Sequence, residues 1–222
     1  MGYEFEDLKQ SCNAEWRAYI EHDFVGQLGD GSLAAGAFRH YLKQDYLFLI
    51  HFARAFALAA YKSQTLADLK QAKEGMQAIV DVELGLHVNY CREWGISEQE
   101  LATLPEARAT LAYTRYVLDT GNRGDLLDLH VALSPCMVGY GEIANWLNAR
   151  SETVRGAENP YDAWIAMYES EEFQNAMAAE IHWLNNRLSD VTPARFTELS
   201  RIFSEATRLE IDFWDMGLEQ RM

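Results

Sequence analysis

Three residues of reactive type stand in surroundings that do not suit their charge or reactivity. Asp45 interrupts a helical face otherwise made of Tyr41, Leu42, Phe48, Leu49 and Phe52. A carboxylate on such a face is costly unless it is paired or protonated. A structural aspartate there would pair with Arg54, His51 or a tyrosine hydroxyl from another helix. A functional one would set an acid against a flat ring. Cys136 follows Pro135 in Leu133-Ser134-Pro135-Cys136-Met137-Val138-Gly139-Tyr140, inside the most apolar stretch of the chain. A proline within a helix removes one backbone donor, leaves the carbonyl of Val131 without its helical partner, and opens space in a tight helix. Tyr140 lies one turn on over the same face, so its hydroxyl could border the thiol. Glu210 is set beside Phe203, Phe213 and Trp214, where a carboxyl group holds its proton more tightly and can act as a general acid near neutral pH.

Each residue also has a plainer reading. Cys136 could be an inert small hydrophobe, the reading taken for Cys12 and Cys91. Glu210 could be a half-solvated partner of Arg208 or Arg201. Tyr113, Tyr140 and Tyr168 each stand in an apolar helical context that suits a core tyrosine as well as a site tyrosine. A metal site is not expected. Glu83 and His87 lie four apart on one helix, but a dinuclear bundle carries two Glu-x-x-His patterns on paired helices. Here the spacing is Glu-x-x-x-His and it occurs once; Glu180 and His182 face differently, and Glu142 stands alone. Glu83 and His87 are read as buttressing neighbouring helices. There is no phosphate-binding glycine loop, no Ser-His-Asp arrangement and no zinc-spaced Cys/His cluster.

Helices must position these residues. Residues 1–104 contain no proline, and the four prolines fall at 105, 135, 160 and 193. Apolar periodicity predicts helices near 4–21, 33–62, 66–93, 105–120, 124–150, 161–168, 170–189 and 194–218, with no strand-like alternation. Ser32, Ser97 and Thr192-Pro193 read as helix starts. Gly29-Asp30-Gly31 and Gly121-Asn122-Arg123-Gly124 read as turns. Leu126–Trp146 is apolar on nearly every face, as a helix surrounded by others is. The expected architecture is all-α: one multi-helix bundle, a single domain over residues 1–222.

The bulk numbers narrow the partners. The chain has 222 residues, 34 acidic against 19 basic, and a formal net charge of −15. Such a surface repels phosphate backbones and anionic lipid, so neither nucleic acid nor membrane is an expected partner. No signal peptide, spanning segment or myristoylation pattern is read from the sequence. Three cysteines without paired spacing fit a reducing cytoplasm.

Several segments, in order, resemble the TenA family, thiaminase II. They are His22-Asp-Phe-Val-Gly-Gln-Leu-Gly-Asp-Gly-Ser-Leu33, Phe38-Arg-His-Tyr-Leu-Lys-Gln-Asp45-Tyr-Leu-Phe48-Leu-Ile-His51-Phe, and Tyr113-Thr-Arg-Tyr. To these are added Pro135-Cys136-x-x-x-Tyr140-x-Glu142, Tyr161-x-x-Trp164-Ile-x-x-Tyr168 and the closing Glu210-x-x-Phe213-Trp214. The resemblance covers essentially the whole chain. It implies a haem-oxygenase-like helical fold without haem or other cofactor, a homotetramer, and a role in thiamin salvage. It implies hydrolysis of the bond between an aminopyrimidine's exocyclic methylene and an amine, in aminomethyl-pyrimidine or, more slowly, in thiamin. By resemblance Cys136 matches the nucleophile, Asp45 the acid gripping the pyrimidine nitrogens, and Glu210 the acid/base at the leaving group. Tyr113 and Tyr140 match hydroxyls around the cysteine, and Tyr168 a site tyrosine. Phe48 stands where many relatives carry tyrosine, which keeps a stacking surface and loses a hydroxyl.

The chemistry needs these residue types. An amine leaves an sp³ carbon poorly. Thiolate addition to an electron-poor pyrimidine, with an acid protonating a ring nitrogen, breaks aromaticity and lets the substituent depart. Aromatic walls would hold the ring and helices would exclude water. Two other classes remain on the same helices: an oxidase, cofactorless or di-iron, and a non-catalytic pyrimidine-binding or regulatory bundle.

Overall fold

In the computed structural model, residues 2–222 are described, apart from the side chains of Val82 and Leu86. Every regular element among them is helical. Contacts gather the chain into two units with interleaved segments, Met1–Leu33 with His130–Trp214, and Ala34–Leu129 with Asp215–Met222.

The first unit opens with α1 (Phe5–Ser11), α2 (Asn13–Ile20) and α3 (Asp23–Asp30). The single helix expected over 4–21 is divided at Cys12, whose φ of −137° leaves the helical region and whose N–H turns back to Lys9. The run expected as a loop before residue 33 is helical as α3. Phe24, Val25 and Leu28 bury one face, His22 accepts from the Phe24 N–H at 3.1 Å, and Gly31 closes the helix at φ 78°. That glycine supplies the left-handed C-cap other residues adopt poorly.

The second unit begins with α4 (Ala35–Lys62). Ser32 does not cap it; Ala34 holds the cap position, and the Ser32 N–H instead donates to Asp30 Oδ1 at 2.9 Å. The helix expected over 66–93 is continuous but not uniform. α5 (Leu66–Gln77) passes through a π-helical segment, Ala78–Glu83, into α6 (Leu84–Glu93). A π turn widens the winding, so residues beyond it face differently than a 3.6-residue repeat predicts. After α7 (Glu98–Leu101), capped by Ser97 as expected, comes α8 (Arg108–Arg123). α8 starts later than expected because its cap comes from another helix. Buried Gln44 of α4 accepts from the Ala107 N–H at 2.8 Å and the Thr110 hydroxyl at 2.7 Å, and donates to the Pro105 carbonyl at 3.1 Å. α8 also runs through Gly121-Asn122-Arg123, expected as a turn. A Cβ on Gly121 would stand 2.7 Å from Leu129 and 2.9 Å from Leu58, so the helix lies close against both side chains.

α9 (Leu126–Ala149) carries Pro135 in its interior. The Val131 carbonyl that proline orphans is not left bare: the Ser134 hydroxyl donates to it at 2.9 Å. The Pro135 carbonyl accepts from the Tyr19 hydroxyl at 3.3 Å. That approach needs glycine at 139, where a Cβ would fall 2.2 Å from the Tyr19 ring. α10 (Asp162–Glu169), α11 (Glu171–Leu188) and α12 (Pro193–Glu219) complete the chain. Ser170 accepts from the Phe173 N–H to cap α11, and Thr192 from the Arg195 N–H at 3.3 Å to open α12. No helix among the described residues is long and apolar enough to cross a membrane.

Gly139→Ala should therefore destabilise the protein by about 1–3 kcal/mol through overpacking. Tyr19→Leu in the same chain should recover part of that loss. Thermal melts of the single and double variants check this, and a Gly139→Ala melt matching wild type would refute the close contact.

Candidate active site

In the second unit, α4 sets Asp45, Phe48 and Phe52 on one face, as helical spacing requires. Phe48 lies against Phe52 at 5.6 Å between ring centroids and against Tyr113 of α8 at 5.0 Å. The structure thus joins Phe48 to Tyr113 from a distant part of the chain, and both are buried. Asp45 is 6% exposed. Its partners are not the ones expected. The tyrosine hydroxyl comes from its own helix, Tyr41 donating to Oδ2 at 3.3 Å, and His87 Nδ1 of α6 stands 3.5 Å from the same oxygen. His51 and Arg54 belong elsewhere. His51 Nε2 is 2.8 Å from Glu106, Arg115 reaches Glu106 at 2.7 Å, and Arg54 lies 3.1 Å from the His51 ring.

Burial pushes the Asp45 carboxyl up to about 7, and the Tyr41 hydroxyl offsets only part of that. Glu83, in the π segment, is likewise pushed up to about 7, first by burial and then by the charge of Asp45. As the buttressing reading expects of His87, its Nε2 is 2.7 Å from the Leu42 carbonyl of α4. Among the described residues no group of three or more His, Cys, Asp or Glu side chains is arranged to hold a metal ion.

In the first unit, Cys136 is the partly exposed cysteine of the three. Burial raises the Cys12 thiol to about 11 and the Cys91 thiol to about 12, so both stay protonated and unreactive. One turn beyond Cys136, Tyr140 enters a cluster of rings. Its centroid is 4.9 Å from Tyr168, 5.8 Å from Trp164 and 5.4 Å from Trp214. Trp214 lies one turn beyond Glu210 on α12, and Phe24 stacks on it at 4.9 Å. Glu210 itself is 1% exposed. Arg208, the salt-bridge partner considered for it, reaches Glu15 at 3.2 Å instead. Glu142 is structural: Trp16 Nε1 donates to it at 2.9 Å and Lys9 Nζ at 2.8 Å, tying α1 and α2 to α9.

The sequence reading missed three features. Gln44 carries no local signal, because its partners are on another helix. His130 of α9 pairs with Glu180 of α11 at 2.8 Å, both buried, and stacks on Trp183 at 3.9 Å. That histidine was visible in an apolar helix but had no partner in sequence. His87 was noted for its spacing from Glu83, and its contact with Asp45 depends on how α6 crosses α4.

The chain belongs to the TENA/THI-4/PQQC family, whose sequence profile matches residues 9–220. The chain is 38% identical to a protein of Halalkalibacterium halodurans named aminopyrimidine aminohydrolase, over 97% of this chain and 95% of that one. A crystal structure from Silicibacter sp. TM1040, described as a TenA family transcription regulator, matches with a TM-score of 0.91 at 41% identity, covering 98% of this chain and 97% of that one. A domain of Shewanella denitrificans described as having a heme oxygenase-like fold matches with a TM-score of 0.77 at 14% identity, covering 98% and 93%. The fold is thus all-helical and haem-oxygenase-like.

The raised carboxyls make stability depend on pH. A group whose folded pKa lies above its unfolded value stabilises fully below the unfolded value, and that contribution is lost as pH climbs through the folded one. For Asp45 the window runs from 3.8 to about 7. At about 1.4 kcal/mol per pH unit this is roughly 4 kcal/mol at most. Asp45→Asn should lose less stability than wild type between pH 4 and pH 7.5, measured by urea melts at each pH. Superimposable pH profiles would show that Asp45 is ionised in the fold.

Proposed function

We propose that the chain is an aminopyrimidine aminohydrolase. Its substrate on this reading is 4-amino-5-aminomethyl-2-methylpyrimidine, a thiamin breakdown product, converted to hydroxymethylpyrimidine and ammonia for thiamin salvage. Thiamin itself would be hydrolysed more slowly, the activity called thiaminase II. The likeness along nearly the whole chain to a protein named for this activity carries the proposal. The side chains support it. Cys136, partly exposed beside the Pro135 break, would add to the ring as nucleophile. Asp45, a buried acid that holds its proton near neutral pH, would protonate a ring nitrogen. Glu210 would protonate the departing nitrogen. Water then takes the place of the amine, and expulsion of the thiolate restores the aromatic ring. Phe48 would offer a flat surface to the pyrimidine, Tyr113 and Tyr140 would supply hydroxyls around the thiol, and Tyr168 would line the pocket. On this reading residues 1–222 act as a single domain. Neither a metal nor a cofactor enters this scheme. Three free cysteines suit a reducing cytoplasm.

The experiment is incubation with aminomethyl-pyrimidine and with thiamin, following ammonia and hydroxymethylpyrimidine. Cys136→Ser should cut both rates by orders of magnitude with little change in folding, since a hydroxyl is far less ionised than a thiol. Glu210→Gln should cost much more rate on aminomethyl-pyrimidine, which expels ammonia, than on thiamin, which expels a neutral thiazole from an already cationic nitrogen. Equal losses would remove Glu210 from proton donation. A Cys136→Ser variant keeping more than about a tenth of the rate would remove the nucleophile. Because one close structural relative is described as a transcription regulator, tight pyrimidine binding without any ammonia release would instead favour a regulatory bundle.

We also infer that the chain assembles with copies of itself, as a homotetramer. Leu66, Leu69, Met76 and Val80 form a stripe along α5 and the π segment, each 40% to 67% exposed. Their spacing of three and four residues, with Lys73 filling the one gap, is that of a helix-pairing face. Leu69→Glu combined with Val80→Glu should lower the mass found by sedimentation equilibrium. An unchanged mass would place any assembly elsewhere.

A further inference from the structure

Both protein contacts of Asp45 fall on one oxygen. The Tyr41 hydroxyl is 3.3 Å from Oδ2 and His87 Nδ1 is 3.5 Å from it. Among the described residues neither of these contacts is made to Oδ1. His87 Nε2 lies 2.7 Å from the Leu42 carbonyl. A carbonyl can only accept, so Nε2 carries the proton. In a neutral imidazole Nδ1 is then bare, with its lone pair directed outward. Burial lowers the pKa of His87, more than the Leu42 carbonyl raises it, so the neutral ring is the form present at neutral pH. A bare Nδ1 facing an ionised Oδ2 sets two electron-rich atoms against each other where water cannot screen them. Protonating the carboxyl on Oδ1 takes the negative charge off Oδ2, which still accepts from Tyr41, and relieves that conflict.

We propose that His87 is a positioning residue for Asp45: pinned by the Leu42 carbonyl in one tautomer, it turns a lone pair on Oδ2, keeps the carboxyl protonated, and leaves Oδ1 to face the substrate. The inference rests on the aminohydrolase reading, in which Asp45 lends a proton to a ring nitrogen. Lending it leaves a carboxylate opposite bare Nδ1, and that repulsion returns the same proton to Asp45 when the ring nitrogen releases it. No other reactant is needed. Other titratable groups lie around this pair. An ionised Asp45 would raise the proton affinity of Glu83 in the π segment and of the Cys91 thiol, one turn beyond His87. Tyr41 is the group that favours the carboxylate. Tyr46 of α4 lies over the His87 ring at 6.5 Å. Lys43, two residues from Asp45, is engaged by Glu100 at 2.5 Å.

The π segment ends at Glu83, four residues before His87, on the helical run that brings His87 to Asp45. Such interruptions recur at functional positions.

The test uses the full chain and needs no substrate. Carbon-13 spectra of protein labelled at aspartate carboxyls, with Asp45→Asn to assign the signal, give the Asp45 titration midpoint. In His87→Gln the side-chain amide can donate to Oδ2, so the midpoint should fall by about one pH unit or more. A midpoint that stays put while only the melting temperature drops makes His87 structural and overturns the proposal. Should His87→Gln fail to fold, nitrogen-15 spectra of histidine-labelled wild type decide. The neutral tautomer protonated on Nε2 at pH 7 is expected for His87; an imidazolium, or a proton on Nδ1, overturns it. The pH profile of kcat/KM on aminomethyl-pyrimidine then separates the two readings. If its basic limb follows the midpoint, both stand. If the midpoint moves and the limb does not, Asp45 is not the acid of the reaction, while His87 still governs its proton.

Discussion

A carboxyl group withdrawn from water must either meet donors or keep its proton, and the arrangement around α4 follows from that choice at Asp45. Elsewhere the chain takes the first course. Glu142 receives the Trp16 indole and the Lys9 ammonium, and Glu180 receives His130. Asp45 takes the second. One hydroxyl donates to it, a histidine turns its unprotonated nitrogen toward it, and the acid Glu83 lies near enough to raise its own proton affinity. Among the described residues no arginine or lysine pairs with it, and an acid kept neutral near pH 7 is what the proposed protonation of a ring nitrogen calls for. The same arrangement holds a stability cost in reserve, since raising the pH ionises a group the fold prefers neutral.

A second constraint acts on α9. A proline inside a buried helix leaves a carbonyl that must be satisfied, and Ser134, the residue just before it, supplies the hydroxyl. The Pro135 carbonyl also accepts from Tyr19, which the missing side chain of Gly139 admits. Cys136 therefore follows a proline whose lost backbone donor is made good by a side-chain hydroxyl. Its contrast with Cys12 and Cys91 is one of access: the other two are sealed, and their thiols are pushed to about 11 and about 12.

The aromatic residues do a third job. Tyr140, Tyr168, Trp164 and Trp214 come from α9, α10 and α12 and meet ring to ring. Tilted and edge contacts of this kind fix orientation as well as burying area. They hold the turn after Cys136 against the turn after Glu210, so the helices carrying these two side chains are joined ring to ring.

The amino-acid sequence by itself determined the helical class, the run of most of the helices and the family, because apolar spacing and local start signals act over a few residues. Ser97 and Thr192 cap the helices they precede, and the all-round apolar character of 126–146 marks α9 without any knowledge of its neighbours. What failed locally failed where a distant residue intervened. α8 met Gln44 of α4 at its start and Gly121 stayed helical against Leu58, while Ser32 is a local exception, its N–H held by Asp30 and the cap position passing to Ala34. The division at Cys12 and the π segment at Ala78–Glu83 were equally invisible, since each is a change of winding that a regular repeat does not encode. Asp45 was legible as a carboxylate on an apolar face; its partners were not. Whether a buried acid is ionised depends on which atoms stand within a few ångström of its oxygens, and that is settled only when α6 crosses α4 and sets His87 beside it.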